Sequence, residues 1–332
     1  MAEGLEKLED MIVRAAETTA THVQAAKAAI GSVIFGQERV VEQALITVLS
    51  GGHALLVGVP GLAKTKLVET MGIVLGLDAR RIQFTPDLMP SDILGAEVLE
   101  ESAGGKRAFR FISGPVFAQL LMADEINRAS PRTQSALLQA MQEQHVTVAG
   151  TRHDLPRPFH VLATQNPLEQ EGTYPLPEAQ LDRFLMEIDV DYPDREAERR
   201  ILFDTTGAEE SKPKAAMTAE DLMAAQRLVR RLPVGESVIE AILSLVRSAR
   251  PNADAGPIGK LIAWGPSPRA SQALMLAVRA RALLEGRYAP SIDDVVALAE
   301  PILEHRMALT FAARADGETI QGLVGRLKAR LG

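Results

Sequence analysis

The sequence contains no cysteine. This absence excludes disulfides, thiolate catalysis and zinc or iron–sulfur sites with cysteine ligands. Aromatic residues make up only 4% of the chain, and basic residues are not in excess, since 36 Lys+Arg stand against 43 Asp+Glu for a net charge of −7. Few rings are therefore available to stack on single-stranded nucleic acid, and the acidic balance disfavours non-specific nucleic-acid binding.

The sequence also lacks a long uninterrupted apolar run. Its most apolar stretch, Ala44–Ala63, is broken by Gly51, Gly52 and Pro60, so we expect no membrane span. The first residues, MAEGLEKLED, carry acids early and have none of the apolar character of a signal peptide. We therefore expect a cytoplasmic protein. The 332 residues, 46% hydrophobic and 24% charged, are enough for two globular domains.

Short apolar runs alternate with helical segments over residues 1–194, after an N-terminal helix near Leu5–Ala29. Uniformly apolar runs of this length indicate strands that are buried on both faces. Their alternation with helices predicts an α/β fold with a parallel sheet flanked by helices. The five runs are HALLVG from His53, Arg81–Thr85, Gln119–Ala123, His160–Thr164 and Leu185–Val190.

Two inserts interrupt this alternation, at about residues 93–114 and 145–156. The first has period-two stretches around Gly104-Gly105, which predicts a β-hairpin, and carries Lys106, Arg107 and Arg110 near its tip. The second is centred on Gly150. Beyond residue 194 strand-like runs vanish, so we predict an all-helical lid domain over residues 195–332, with helix starts at the capping boxes of Thr218 and Ser291.

A phosphate-binding loop follows the first apolar run. Its sequence fits the pattern G-x-x-x-x-G-K-[ST] except for an alanine in place of the last glycine, where we expect a helical-type φ and a small side chain to suffice. Backbone N–H groups of such a loop surround phosphate oxygens at a helix N-terminus. The lysine would reach the β- and γ-phosphates and the threonine hydroxyl would bind Mg²⁺, so ATP and Mg²⁺ are the expected cofactors. The loop comprises Gly58, Val59, Pro60, Gly61, Leu62, Ala63, Lys64, Thr65 and Lys66.

Polar residues follow two other predicted strands. Asp124 and Glu125 come directly after the run Gln119–Ala123, where Asp124 would hold Mg²⁺ through water and Glu125 would orient and deprotonate the attacking water. Asn166 follows the run His160–Thr164, and its amide can accept from a water and donate to a phosphate.

Two arginines are candidates for contacting the γ-phosphate. Arg183, in the segment LDRF, would act across an interface as an arginine finger if subunits form a ring, and such a residue is worth about 10³–10⁵ in rate. Arg269, in WGPSPRA at the start of a predicted lid helix, would move onto the nucleotide of its own chain.

Together these segments resemble the MoxR family of AAA+ ATPases. The resemblance extends over FGQE from Phe35, GVPGLAKT, ADEINRA, EGTYPLPEAQLDRF and WGPSPRA. GVPGLAKT, with its alanine at position 63, is the form that the family shows. The resemblance implies an AAA+ core with two hairpin inserts and a helical lid, assembled as a hexameric ring with ATP at the subunit interfaces. It also implies an adenine pocket lined by Ile34, Phe35, Gly36 and Gln37, and an interface contact by Arg128.

By the same resemblance, the protein would be a chaperone or remodeller of a partner protein or metalloprotein complex, with a von Willebrand factor A domain protein as partner. Three alternatives remain open. The inserts fit a metal-chelatase motor subunit equally well, and basic residues at the hairpins, including Arg152, would suit a DNA motor. A scaffold that binds nucleotide with little turnover would carry the same residues.

Overall fold

The computed structural model describes residues 2–101, 107–169, 171–207, 212–251 and 256–331, with side chains from residue 16 onward. Gly104, Gly105 and Lys106, predicted near the tip of the first hairpin, lie outside the described residues. Strands and helices are numbered separately along the chain.

The central sheet has five parallel strands in the order β2-β5-β8-β1-β9. Alternate side chains enter two different apolar clusters: Leu56, Leu120 and Leu162 contribute to one, and Leu55 and Leu121 to the other. The predicted parallel sheet with buried faces is thereby confirmed. Its strands are β1 (Ala54–Val57), β2 (Ala79–Gln83), β5 (Leu120–Asp124), β8 (His160–Gln165) and β9 (Met186–Asp189).

Strand β2 differs from its prediction in position and in burial. It begins two residues before the predicted Arg81, and within it only Ile82 is buried. The prediction of a strand buried on both faces is wrong here because β2 is an edge strand and pairs with β5 alone. Its exposed arginines and Gln83 are therefore free to reach the carboxyl edge of the sheet.

Seven helices accompany the sheet up to residue 206 of the described chain. Ser130 caps α5 by accepting from the N–H of Thr133, and Pro131 occupies the first turn, where its missing N–H costs nothing. The helices are α1 (Ala2–Gly31), α2 (Glu38–Leu49), α3 (Lys64–Val74), α4 (Pro90–Leu94), α5 (Pro131–Glu143), α6 (Glu178–Leu181) and α7 (Arg195–Thr206), with a 3-10 turn at Ile126–Arg128.

Both predicted hairpins are present. The first joins β3 (Gly95–Glu101) to β4 (Arg107–Ser113), and the second joins β6 (His145–Val148) to β7 (Thr151–Asp154). The ring of Phe111 stacks on that of His153 with centroids 3.8 Å apart, so the two hairpins contact each other.

The C-terminal region is helical, as predicted, with one addition. A two-stranded antiparallel ribbon pairs β10 (Ile262–Trp264) with β11 (Ala308–Leu309). Both predicted capping boxes form, at Thr218 with Asp221 and at Ser291 with Asp294. The domain boundary near residue 194 stays a prediction. The helices are α8 (Ala219–Val229), α9 (Glu236–Ser248), α10 (Gly256–Gly259), α11 (Pro268–Leu284), α12 (Ile292–Leu303), α13 (Phe311–Ala315) and α14 (Ile320–Lys328), with a 3-10 turn at Glu304–Arg306.

Among the described residues, no helix combines the length and the apolar character needed to cross a bilayer.

Candidate functional site

The predicted phosphate loop connects β1 to the N-terminus of α3, as its motif requires. At its start the backbone packs tightly against the residue that follows β9, because a Cβ atom on Gly58 would lie 2.5 Å from the carbonyl oxygen of Val190. Gly61 has φ +88° with open space around it, so this glycine serves the backbone conformation rather than packing.

Ala63 departs from its prediction. We expected a helical-type φ, but Ala63 has φ 56° and ψ 18°, which is the left-handed region. That conformation costs a residue with a Cβ about 1–2 kcal/mol, which explains why the general pattern has glycine at this position. The loop therefore holds Ala63 in a strained conformation directly before α3.

Lys64 is directed toward its own loop. Its Nζ donates to the carbonyl oxygens of Gly58 at 2.5 Å and Val59 at 2.9 Å. Partial burial lowers the pKa of Lys64, while the negative charges of Asp124 and Glu125 act in the opposite direction. The ammonium group is thus held within the loop, close to the two acids.

Asp124 ends β5 at the carboxyl edge of the sheet and is bound on both carboxylate oxygens. The hydroxyl of Thr164 donates to Oδ1 at 2.5 Å. The guanidinium of Arg81 contacts Oδ2, with Nη2 at 2.5 Å and Nε at 3.2 Å. Neither Thr164 nor Arg81 was predicted as a site residue.

Glu125 follows Asp124 with a left-handed φ of 55°. Its backbone N–H donates to the hydroxyl of Thr164 at 2.8 Å. Its Oε2 accepts from the Gln83 amide at 2.6 Å and from Nη1 of Arg128 at 2.9 Å. The strained backbone and these partners fix the carboxylate at the edge of the sheet. Arg128 contacts Glu125 of its own chain, and its interface role stays a prediction.

Asn166 lies at the end of β8, with its side chain 6% exposed. Its Oδ1 accepts from the N–H of Leu168 at 3.1 Å. Because β8 lies between β5 and β1 in the sheet, its end is between the acids and the phosphate loop.

These groups surround one cavity of about 470 Å³. The loop after β1 and the carboxyl ends of β2, β5 and β8 meet there, as expected for neighbouring parallel strands. The cavity brings together the loop residues from Pro60 to Lys66 with Arg81, Gln83, Asp124, Glu125, Thr164 and Asn166.

A second cavity of about 330 Å³ shares the loop residues Pro60–Ala63 and Lys66 with the first. It is the more apolar of the two, as a base-binding pocket would be. Of the four residues expected there, three line it, namely Ile34, Phe35 and Gln37. Gly36 does not, because it packs against α7 and a Cβ on it would lie 2.4 Å from that of Ala197.

The other walls of this second cavity were not predicted. They come from the segment after β9 and from α7, through Tyr192, Pro193, Glu198, Ile201 and Thr205. The guanidinium of Arg200 lies 4.5 Å from the ring centroid of Phe35, which ties α7 to the predicted adenine segment. The charged residues at the start of α7 do not predict this contact from the sequence.

The two candidate arginines line neither cavity. Arg183 donates through Nη1 to the carbonyl oxygen of Leu138 at 2.7 Å. Arg269, exposed at the first turn of α11, lies 3.8 Å from the carboxylate of Asp182. Arg183 thus contacts α5, and Arg269 lies beside Asp182, the residue before Arg183; Arg269 does not line the cleft of its own chain, where it was expected.

Comparison with known proteins agrees with this architecture. A model of the "ATPase family associated with various cellular activities (AAA)" matches residues 53–186, and an "AAA lid domain" model matches residues 258–326. "Chaperone MoxR1" of Mycobacterium tuberculosis is 42% identical over 297 residues, which are 89% of this chain and 78% of that protein. The chain belongs to the MoxR family of AAA+ ATPases. "Protein MoxR" of Paracoccus denitrificans is 32% identical over 313 residues, covering 89% and 91% of the two chains.

The MoxR assignment extends to the three-dimensional structure. A crystal structure from Cytophaga hutchinsonii, of a candidate ATPase, superposes with a TM-score of 0.89 at 36% identity, covering 99% of this chain and 98% of that one. Membership of this family implies that the protein binds a nucleotide.

The donor set of the MoxR cleft also fits a magnesium ion. Thr65 and Asp124 line the same cavity and offer a hydroxyl and a carboxylate, which are the oxygen ligands that Mg²⁺ takes. Both would leave most coordination positions to water and phosphate, as is usual for this ion.

Proposed function

We propose that this MoxR-family protein hydrolyses ATP and uses the energy to remodel a partner protein. The observation that carries the proposal is the single cavity in which Lys64, Thr65, Asp124, Glu125 and Asn166 meet. Each residue type supplies a part that phosphoryl transfer needs: a cation for the phosphates, oxygen ligands, a base for water and an amide to position it.

In the proposed mechanism, the phosphate tail follows the loop N–H groups and Lys64 exchanges its two loop carbonyls for phosphate oxygens. A bound Mg²⁺, held by Thr65 and Asp124, would neutralise charge on the β- and γ-phosphates. Asn166 and Glu125 orient a water in line with the γ-phosphorus, and an oxygen of Glu125 takes its proton as the new P–O bond forms. The leaving group is ADP and the product is inorganic phosphate.

We further propose a hexameric ring in which Arg183 reaches the γ-phosphate of the neighbouring subunit. Its position away from the cleft of its own chain supports this role, since an arginine finger supplied in trans must lie outside its own site. Arg269 lies near the same segment, which favours a role at that neighbouring site over one at its own nucleotide.

The chaperone role is supported by the hairpins. Leu99 and Phe109 face each other across the first hairpin and are 50% and 70% exposed, which offers an apolar surface for a polypeptide. The three basic hairpin residues that the structure describes are paired instead: Arg107 with Glu101, Arg110 with Glu100, and Arg152 with Asp154. We propose a protein with a von Willebrand factor A domain as the partner, on the family resemblance.

The test is the substitution Glu125→Gln, which keeps the shape of the side chain and removes the base. ATP binding should stay within a few fold of the unchanged protein, while phosphate release should fall by about 10²–10⁴. Glu240→Gln, at an exposed position of α9, is the matched control and should leave both unchanged. Normal turnover in Glu125→Gln would contradict the assignment. The same variant, which holds ATP, should retain the partner in a pull-down from native cells.

A further inference from the structure

The guanidinium of Arg81 is bound to the carboxylate that would hold the metal ion. Two of its nitrogens contact the same oxygen of Asp124, Nη2 at 2.5 Å and Nε at 3.2 Å. The other carboxylate oxygen is taken by the hydroxyl of Thr164. Lys64 bonds to its own loop. In this structure, therefore, Arg81 supplies the cation at Asp124.

The two members of the Arg81–Asp124 pair differ in solvent exposure. The side chain of Asp124 is 13% exposed, whereas that of Arg81 is 49% exposed. Arg81 comes from the edge strand β2 and lines the same cavity as Thr65. A half-exposed guanidinium can leave for solvent at little cost, while the carboxylate is fixed at the end of an interior strand.

We propose that Arg81 is an internal counter-ion that competes with Mg²⁺ for Asp124 and sets the Mg²⁺ concentration at which nucleotide is loaded. This inference rests on the proposed ATPase function of the same cleft. A guanidinium in contact with Oδ2 fills the space that a hydrated divalent ion needs and neutralises the carboxylate charge that would attract it. The two cations therefore exclude each other at Asp124. Metal loading must therefore break the ion pair first.

The same side chain is linked to the catalytic carboxylate. Nη2 of Arg81 also donates to Oε1 of Gln83 at 2.9 Å, and the amide of Gln83 donates to Glu125 at 2.6 Å. Arg81 and Gln83 are two residues apart on β2 and so project on the same side of the strand. Displacement of Arg81 removes one support of Gln83, which couples metal loading to the position of Glu125.

The experiment measures divalent binding directly. Mn²⁺ is titrated into protein saturated with ADP and its free fraction is followed by electron paramagnetic resonance, while ADP affinity is measured separately in EDTA. Arg81→Gln removes the charge, and Arg81→Lys keeps it. Arg80→Gln is the matched control, because Arg80 is the adjacent exposed arginine of β2 and pairs with Asp78 instead.

We expect Arg81→Gln to tighten Mn²⁺ binding by roughly three- to fivefold, the upper part of the range for a partly exposed charged contact. Arg81→Lys should stay closer to the unchanged protein than Arg81→Gln, and Arg80→Gln should match the unchanged protein within about twofold. Added salt should reduce the difference, since it screens exposed charges. ADP affinity in EDTA, measured for all four proteins, sets the ADP concentration that keeps each of them saturated during the Mn²⁺ titration.

Mn²⁺ binding to Arg81→Gln that is unchanged, weaker or absent would overturn the inference, as would equal tightening in Arg80→Gln. A failure of the proposed function looks different. If the proposed function fails, the unchanged protein binds no ADP even in EDTA. If only the Arg81 inference fails, the proteins bind ADP, but Arg81→Gln leaves Mn²⁺ binding unaltered.

Discussion

Arg306 and Asp182 form a buried ion pair that joins the C-terminal helices to the segment between α6 and β9. Nε of Arg306 lies 2.8 Å from Oδ1 of Asp182, and the arginine is 2% exposed. The guanidinium also donates to the carbonyl oxygens of Phe184 and Leu185, directly after Arg183. One side chain thus fixes the backbone on both sides of the proposed arginine finger.

Replacement of Arg306 should destabilise the protein severely. Arg306→Gln leaves Asp182 without its main cation and leaves buried carbonyl groups without donors, a change that costs about 3–5 kcal/mol. Arg306→Lys should rescue little, because an ammonium group cannot reproduce the planar fork. Thermal unfolding followed by circular dichroism measures the effect, with Arg330→Gln at an exposed position of the chain end as control. Equal melting temperatures for Arg306→Gln and Arg330→Gln would contradict this account.

Glu187 and Glu304 should contribute stability that is lost as the pH rises from about 4.5 to about 8. Burial raises the pKa of Glu187 from 4.5 to about 8 and that of Glu304 to about 7, with nearby carboxylates adding to both shifts. Each folded-state pKa lies above the unfolded value, so the folded state binds more protons in this window and loses stability as they leave. Burial lowers the pKa of His53, His160 and His305, which act in the opposite direction below about pH 6.5. Melting temperatures should therefore decrease most clearly between about pH 6.5 and pH 8.

Glu187→Gln is the variant that isolates this effect, because it keeps the side chain neutral at every pH. Its melting temperature should decrease less between about pH 6.5 and pH 8 than that of the unchanged protein. Arg39, Arg306, Asp189 and Glu300 surround the two groups and stay in place in both proteins. A pH slope that is identical in the variant would show that Glu187 does not titrate in this range.

Much of this cleft could be predicted because its parts are local motifs at the ends of parallel strands. Lys64, Asp124 and Asn166 each follow an apolar run, and parallel pairing places those ends at one edge. Arg81 could not be found in this way, since its strand was predicted as buried from apolar composition, whereas it lies at the sheet edge. Arg306 was missed because its partner is more than a hundred residues away in the sequence.

Backbone conformation was the other feature that the sequence did not predict. The motif alone placed Ala63 in a helical conformation, and the left-handed φ of 56° appears only in the folded loop. Gly36 was placed in the adenine pocket by family resemblance, but its lack of a side chain serves the close approach of Ala197 instead. Tertiary packing decides both, and neither is encoded in the local pattern.

Gly58→Ala should disrupt the phosphate loop. The added methyl group would lie 2.5 Å from the backbone oxygen of Val190, directly after β9, and a clash with a backbone atom is not relieved by a change of rotamer. We expect a loss of stability of about 1–3 kcal/mol and weaker nucleotide binding. Gly31→Ala is the control, because nothing lies within 4 Å of its Cβ position. A Gly58→Ala protein as stable as Gly31→Ala would show that the loop packs differently.

Mixed assemblies test the role of Arg183 across an interface. Arg183→Ala leaves the cleft of its own chain intact and Glu125→Gln leaves the arginine intact, so each protein alone should be inactive. Mixing them should restore part of the phosphate release, because some interfaces then pair an intact cleft with an intact arginine. An Arg183→Ala protein with normal activity, or a mixture without recovery, would contradict action in trans.

The central claim is that the loop of residues 58–65 binds the phosphates of ATP, and calorimetric titration with Mg²⁺–ATP tests it most directly. We predict saturable binding by the unchanged protein, a loss of at least about tenfold in affinity for Lys64→Ala, and no change for Lys260→Ala at an exposed position. The absence of binding to the unchanged protein, or equal affinity in Lys64→Ala, would contradict it.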